Sequence, residues 1–305
     1  MQKRLMKLSS ALLVFVTVFL LCSFTAFASE PSLEVKETRA GKNYLSVTGI
    51  GSKVISSYQK KGVYINGKSA AFSARIINGE AYLPTAQFIQ SVSGAKALYN
   101  PLTKTLSASG SGYDISVSDG AYVLYSSARP MFATTPSAVL SDGNLYSPAS
   151  VLSRALGVKI TYSSGSSVSV SGVSSPITRA DKFYREDEVY WLARIINAES
   201  RGEALLGQIA VGGVVLNRVK SQLYPNTIWG VIFDKKYGVQ FSPILDGSIY
   251  SEPTYTSILA AKICLEGFSI SSDTLFFLYP SASTSSWIPK NRQYAFTIGK
   301  HDFYR

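Results

Sequence analysis

Two stretches of the chain, 64 residues apart, repeat one pattern. "NGEAYLPTAQFIQSVSGAKALY" (78–99) aligns with "DGNLYSPASVLSRALGVKITY" (142–162). Tyr82 and Pro84 match Tyr146 and Pro148, and Gly94, Lys96 and Tyr99 match Gly157, Lys159 and Tyr162 after the loss of one residue. Similarity at such a period signals a duplicated supersecondary unit. Each copy opens on Asn-Gly or Asp-Gly, the strongest local hairpin signal, because both turn positions need positive φ. The proline then ends strand pairing and suits the first turn of a helix. Apolar residues at helical spacing follow (Phe88, Ile89, Val92; Val151, Leu152, Ala155, Leu156), and Gly94 or Gly157 supplies the left-handed C′ position. Alternating strands such as "SVSVSG" (167–172) complete the unit.

This arrangement, over 62–172, resembles the copper amine oxidase N-terminal-like domain of secreted bacterial proteins. The name implies no copper here, since the segment holds neither His nor Cys. Wall attachment or spacing is the role the resemblance suggests.

The first residues are expected to direct export. Lys3, Arg4 and Lys7 precede the apolar run Ala11–Cys22, and Ala26 and Ala28 stand in A-x-A spacing. Cleavage is expected after Ala28. Membrane contact arises only if this segment is retained. Leu21 before Cys22 argues against lipoprotein processing. Past residue 28 only Cys264 and His301 remain of their kinds, so no internal disulfide forms and zinc sites built on His and Cys are excluded. No cofactor is expected.

Charge is unevenly divided. Residues 29–182 carry 15 basic and 8 acidic side chains, whereas 183–305 carry 12 and 11. Outside the cell the basic half suits anionic wall polymers, peptidoglycan carboxylates or lipid headgroups, not nucleic acid. Weak strands are expected at Tyr44–Val47 and Lys53–Tyr58. "SGVSSPITRADK" (171–182) reads as a linker.

Two helices follow. The first opens on Glu186, Asp187 and Glu188, where the helix dipole favours acids. Its apolar stripe runs through Val189, Leu192, Ile195 and Ile196 to Glu199, which stands where a core residue belongs. Burial there would hold the carboxyl protonated, as a general acid for glycoside cleavage requires. Pairing with Arg194 or Arg201, or capping of a backbone, explains the position equally well. Glu203 is expected to satisfy N–H groups at the start of the second helix, Ala204–Lys220. Within that helix Gly212 and Gly213 cost about 1 kcal/mol each relative to Ala, which close approach by the Glu199 helix would offset.

Further along, "YPNT" (224–227) precedes a short helix, and "YGVQFSPILDG" (237–247) is a polar loop on an aromatic base. "SEPTYTSILAAKICLEG" (251–267) is helical. "TLFFLY" (274–279) and "YAFTIG" (294–299) are expected to pair as a terminal hairpin around a long loop exposing Trp287. Trp287, Tyr237 and Phe241 are candidates to stack on sugars, with Ser242 and Asp246 as polar neighbours. A Ser–His301–Asp302 triad is disfavoured: the two residues adjoin and no Gly-x-Ser-x-Gly elbow exists.

"YWLARIINAESRGEALLGQIAVGGVVLNRVKS", "QFSPILDG" and "TIGKHDFYR" together resemble the SleB/CwlJ-type cell wall hydrolases, the spore-cortex-lytic group, over 186–305. Leu278-Tyr279-Pro280 replaces the family's Tyr-Asn-Pro, and the duplicated module stands in place of its peptidoglycan-binding repeat. The resemblance implies a lysozyme-like, mainly helical domain that cleaves the muramoyl–glucosamine bond of peptidoglycan as a lytic transglycosylase, with Glu199 as the catalytic acid. A muramidase-type hydrolase using Asp246 and a non-catalytic wall-binding protein are the alternatives. The whole chain thus reads as α+β: signal (1–28), N-terminal segment (29–61), duplicated β-hairpin/helix module (62–172), linker (173–182) and catalytic domain with a terminal β-hairpin (183–305). Vegetative wall and spore cortex are equally compatible substrates.

Overall fold

The computed structural model describes residues 33–37, 43–47, 58–163, 166–236, 238–283 and 286–305. The expected export segment and, Tyr58 apart, the expected strand at 53–58 lie outside these residues. No helix among the described residues is long and apolar enough to cross a membrane.

Strands β1 (Leu33–Glu37) and β2 (Asn43–Val47) form an antiparallel pair. The module follows with β3 (Lys60–Ile65), β4 (Lys68–Ile77), β5 (Glu80–Pro84), α1 (Thr85–Ser93), β6 (Lys96–Asn100), β7 (Thr105–Gly110) and β8 (Tyr113–Ser118). It continues through β9 (Val123–Ser126), β10 (Arg129–Phe132), β11 (Val139–Ser141), β12 (Asn144–Pro148), α2 (Ala149–Leu156), β13 (Lys159–Thr161) and β14 (Val168–Ser171). One sheet runs β11-β12-β5-β4-β3-β14-β13, and a second runs β10-β9-β8-β7-β6.

The duplication is visible in space. Asn78-Gly79 (φ 50° and 82°) and Asp142-Gly143 (φ 50° and 72°) turn the two hairpins, both residues of each in the left-handed region. Gly94 (φ 68°) and Gly157 (φ 65°) close α1 and α2. The strands preceding those helices pair antiparallel, Tyr82 opposite Pro148 and Tyr146 opposite Pro84, so the copies face each other about a local two-fold. Each proline is the last strand residue and the helix N-cap, one position ahead of the first turn expected for it. Phe88, Ile89, Val151, Leu152 and Leu156 are fully buried in one apolar core with strand residues Leu83, Leu106, Ile115 and Leu124, each side chain contributing about 1.5–3 kcal/mol by burial.

The segment expected to be a linker is packed down. Ser174 Oγ lies 2.7 Å from Tyr113 Oη and donates to Leu156 O at 2.9 Å. The N–H of Ala180, which opens α3 (Ala180–Phe183), donates to Ser127 O at 3.0 Å.

Helices α4 (Glu186–Ser200), α5 (Leu205–Lys220), α6 (Ile228–Ile232) and α7 (Tyr255–Leu265) form the second core. A Cβ on Gly212 would come 2.7 Å from Ile196 Cδ1 and 2.9 Å from Cys264 Sγ. The close approach is therefore to side chains of α4 and α7, not to a backbone. Gly213 meets only Ser269 Oγ, at 3.7 Å. Three strands and one helix end the chain: β15 (Phe276–Leu278), α8 (Trp287–Asn291), β16 (Tyr294–Ile298) and β17 (His301–Tyr304). The sheet order β1-β2-β16-β17-β15 corrects the expected hairpin: β16 turns through Gly299-Lys300 into β17, and β15 pairs with the other edge of β17. "HDFY" was the missing strand; its four residues are buried without polar alternation, so period-2 patterning does not reveal it. The long loop also holds α8, whose Pro289 is tolerated in the first turn.

The two halves meet through β10 and α7. Phe132 enters the helical core edge-on to Phe268, ring centroids 4.8 Å apart. Arg154 donates to Phe132 O at 2.5 Å.

Candidate active site

Glu199 occupies the last turn of α4, half-buried, with neither a hydrogen bond nor an ion pair to any described residue. Neither arginine neighbour engages it. Arg194 donates instead to the carbonyls of Tyr250 (2.5 Å) and Ser251 (2.7 Å) and to Glu252 (3.1 Å). Arg201 is exposed at the helix end. Burial raises the Glu199 carboxyl to about 7; the negative charge of Asp246 adds to the rise and Arg218 opposes it. A carboxyl so placed can give a proton at neutral pH and take one back.

Asp246 lies in the turn between two short 3₁₀ segments, Ser242–Ile244 and Ser248–Tyr250, that pack on α4. It is exposed and accepts the Ser248 N–H at 2.8 Å, and hydrogen bonding from Ser248 holds it below the usual carboxylate range. The two carboxyls are thus shifted in opposite directions, Glu199 toward the protonated form and Asp246 toward the ionised one, the division of roles that paired carboxylates need.

Arg218, from α5, is the cation acting on Glu199. Its guanidinium is buried, donates from Nε to Leu275 O at 2.8 Å, and lies 5.0–5.5 Å from the rings of Tyr224, Phe241 and Phe276. Among the described residues its Nη1 has no hydrogen-bond partner. The adjacent Asn217 holds the 271–274 loop, donating to Ser271 O and Thr274 O at 2.9 Å each.

A buried amide network fixes the turn after Glu199. Gln208 Nε2 donates to Glu203 O at 2.9 Å, while its Oε1 lies 2.8 Å from Ser257 Oγ. Asn197 Oδ1 accepts the Thr254 N–H at 3.1 Å. These residues were missed from sequence; polar residues recurring on apolar helix faces were the available signal.

Glu203 does not cap α5, whose N-cap, Ala204, makes no side-chain hydrogen bond. Its carboxylate turns to the β16–β17 corner, accepting the Lys300 N–H at 3.3 Å and lying 3.7 Å from His301 Nδ1. That last distance is an electrostatic contact, too long for a hydrogen bond. Burial lowers the His301 pKa, and Glu203 opposes the shift. His301 and Asp302 are neighbours in β17 and point to opposite faces, with Asp302 accepting from Thr297 Oγ1 at 2.5 Å; among the described residues no triad forms from them.

The remaining candidates separate. Phe241 is only 3% exposed and packs in the core, so it presents no face to a sugar. Ser242 is exposed at the start of its 3₁₀ segment, and Trp287 is 52% exposed at the start of α8. Tyr237 lies outside the described residues. No group of three or more His, Cys, Asp or Glu among the described residues is placed to hold a metal.

Residues 202–304 match the family described as Cell Wall Hydrolase, and a solved structure is 38% identical with 97% of its length covered by this chain. The C-terminal domain belongs to the cell wall hydrolase family. That structure is the catalytic domain of the germination-specific lytic transglycosylase SleB from Bacillus anthracis (40% of this chain, TM-score 0.37). The Bacillus cereus SleB catalytic domain is also 38% identical (40% of this chain, 92% of that one, TM-score 0.36). Among curated relatives, the spore cortex-lytic enzyme of Bacillus cereus is 37% identical over 126 residues, 41% of this chain and 47% of its own. That of Bacillus subtilis is 36% identical over 120 residues, 39% and 38% of the two chains. The chain thus spans less than half the length of these curated relatives. Residues 64–170 match the Copper amine oxidase N-terminal domain.

Proposed function

We propose that this chain is an exported peptidoglycan lytic transglycosylase that cleaves the MurNAc–GlcNAc bond, with Glu199 as its acid and base. One observation carries the reading: a half-buried carboxyl, unpartnered among the described residues and raised to about 7, just ahead of the stretch 202–304 that matches the cell wall hydrolase family. Glu199 protonates the glycosidic oxygen as the bond to C1 breaks. The resulting carboxylate takes the proton of the muramoyl C6 hydroxyl, whose oxygen closes on C1. The product is a 1,6-anhydro sugar, no water is consumed, and Glu199 ends protonated as it began. A single acid suffices.

Asp246 favours a second reading. It is ionised and close enough to perturb Glu199, so it could activate water and give hydrolysis. Masses of muropeptides released from purified wall decide between them: anhydro ends support transglycosylation, and products heavier by one water replace it with hydrolysis. No release by the wild type, or undiminished release by Glu199→Gln, would remove the catalytic assignment.

The signal pattern at 1–28 supports an envelope location, and the named relatives point to the spore cortex as one setting. In this reading 62–172 and 183–305 are two units joined at 173–182, and the basic excess of the first half suits anionic wall polymers.

A further inference from the structure

A ladder of cations and rings runs outward from the catalytic acid. Arg218, the cation beside Glu199, lies 5.5 Å from the Phe276 ring. Arg292 lies 4.5 Å from that same ring and 5.0 Å from the ring of Trp287. The Phe276 and Trp287 centroids are 6.4 Å apart. The outer end is open: Arg292 is exposed and Trp287 is 52% exposed.

Arg292 stands apart from the other arginines of this half. The buried Arg218 also rests on rings without an acid paired to it among the described residues, and Arg292 differs from it by its exposure. Arg185, Arg194 and Arg305 are each paired with an acid. Among the described residues Arg292 is paired with none, and the one hydrogen bond of its guanidinium is a long 3.5 Å contact to Asn291 O. Among the described residues Arg201 also lacks an acid, but no aromatic ring lies beneath it. A guanidinium resting on two rings is held in place and partly dehydrated, while its donor edge stays available for a carboxylate. The neighbouring indole offers a face for a sugar ring.

We propose that Arg292 and Trp287 form a subsite for an acidic saccharide, Trp287 stacking on the sugar and Arg292 binding a carboxylate carried on it. Resting on the peptidoglycan reading, this names the muramoyl residue with its carboxylate-bearing peptide as the unit recognised. Chitin, the same glycan type without carboxylates, would engage Trp287 alone.

The test measures binding of full-length Glu199→Gln protein to three solids: sacculi stripped of secondary polymers, the same sacculi with carboxylates amidated, and chitin. Adding Arg292→Ala should weaken binding to untreated sacculi at least about tenfold, as loss of a charge-assisted hydrogen bond implies. It should leave chitin and amidated sacculi unchanged. Arg292→Lys, which keeps the charge without the fork, should fall between. Trp287→Ala should weaken binding to all three. Equal losses from Arg292→Ala on every solid, or no loss on untreated sacculi, would overturn the subsite. Release of fragments by the wild type, measured alongside, separates the failures. Active enzyme with no Arg292 effect sinks this inference alone. Inactive enzyme together with no binding to any solid sinks the peptidoglycan reading beneath it.

Discussion

Arg129 and Glu266 join the two halves of the molecule through two parallel hydrogen bonds, Nε to Oε1 at 2.8 Å and Nη2 to Oε2 at 2.7 Å. The Glu266 side chain is 4% exposed, and Tyr184 Oη bonds to it as well. Arg129 also lies 3.3 Å from the Phe183 ring. Arg129→Ala leaves a buried carboxylate without its cation, so we expect a loss of about 3–5 kcal/mol. Arg129→Ala with Glu266→Gln should lose distinctly less than the sum of the single changes. Urea unfolding of the four proteins measures the coupling; additive losses would contradict it.

Glu199→Gln should abolish activity yet stabilise the fold at alkaline pH. The folded-state pKa is raised from 4.5 to about 7. Folding therefore favours the protonated form: full stability exists below pH 4.5 and is lost as pH rises through about 7. A shift of that size corresponds to about 3 kcal/mol at most. The variant should match the wild type near pH 4 and exceed its melting temperature at pH 8. Identical pH profiles of stability would contradict the buried-acid picture.

Asp246→Asn removes the like charge that helps raise Glu199. The alkaline limb of the activity profile should move to lower pH, because Glu199 then ionises earlier. A pH–rate series with muropeptide masses checks this. A loss of about a hundredfold or more at every pH, without a shift of the limb, would assign Asp246 direct chemistry.

The β16–β17 corner depends on Gly299. Its φ is 55°, and an added Cβ would lie 1.8 Å from Glu203 Oε2. Gly299→Ala should cost more than the roughly 1–2 kcal/mol of the left-handed backbone alone. Glu203→Ala should recover the steric part, read as non-additivity in unfolding free energies.

The two helix glycines should separate in opposite directions. Gly212→Ala meets Ile196 and Cys264 and should destabilise by about 1–3 kcal/mol. Gly213→Ala has room at 3.7 Å and should stabilise by up to about 1 kcal/mol. Melting temperatures of the two variants test the contrast.

Local chemistry alone determined much of this protein. Asn78-Gly79 and Asp142-Gly143 specified hairpins because few residue pairs tolerate two positive φ angles. Gly94 and Gly157 ended helices for the same reason, and the stripe from Leu192 to Glu199 turned an acid inward. What lay beyond one element was decided by tertiary structure. That Arg194 leaves Glu199 unpaired among the described residues follows from its reaching across to the Tyr250 carbonyl, 56 residues away in sequence. Phe241 is buried and Trp287 exposed, though both are aromatic residues of stretches that read as loops in the sequence, because only packing decides which ring the core covers. Glu203 faces the β16–β17 corner instead of capping its own helix because the N–H that it accepts belongs to Lys300, 97 residues on, which no local pattern brings near. Periodicity is a property of single elements. Partnership between residues far apart in the chain arises only when those elements are packed.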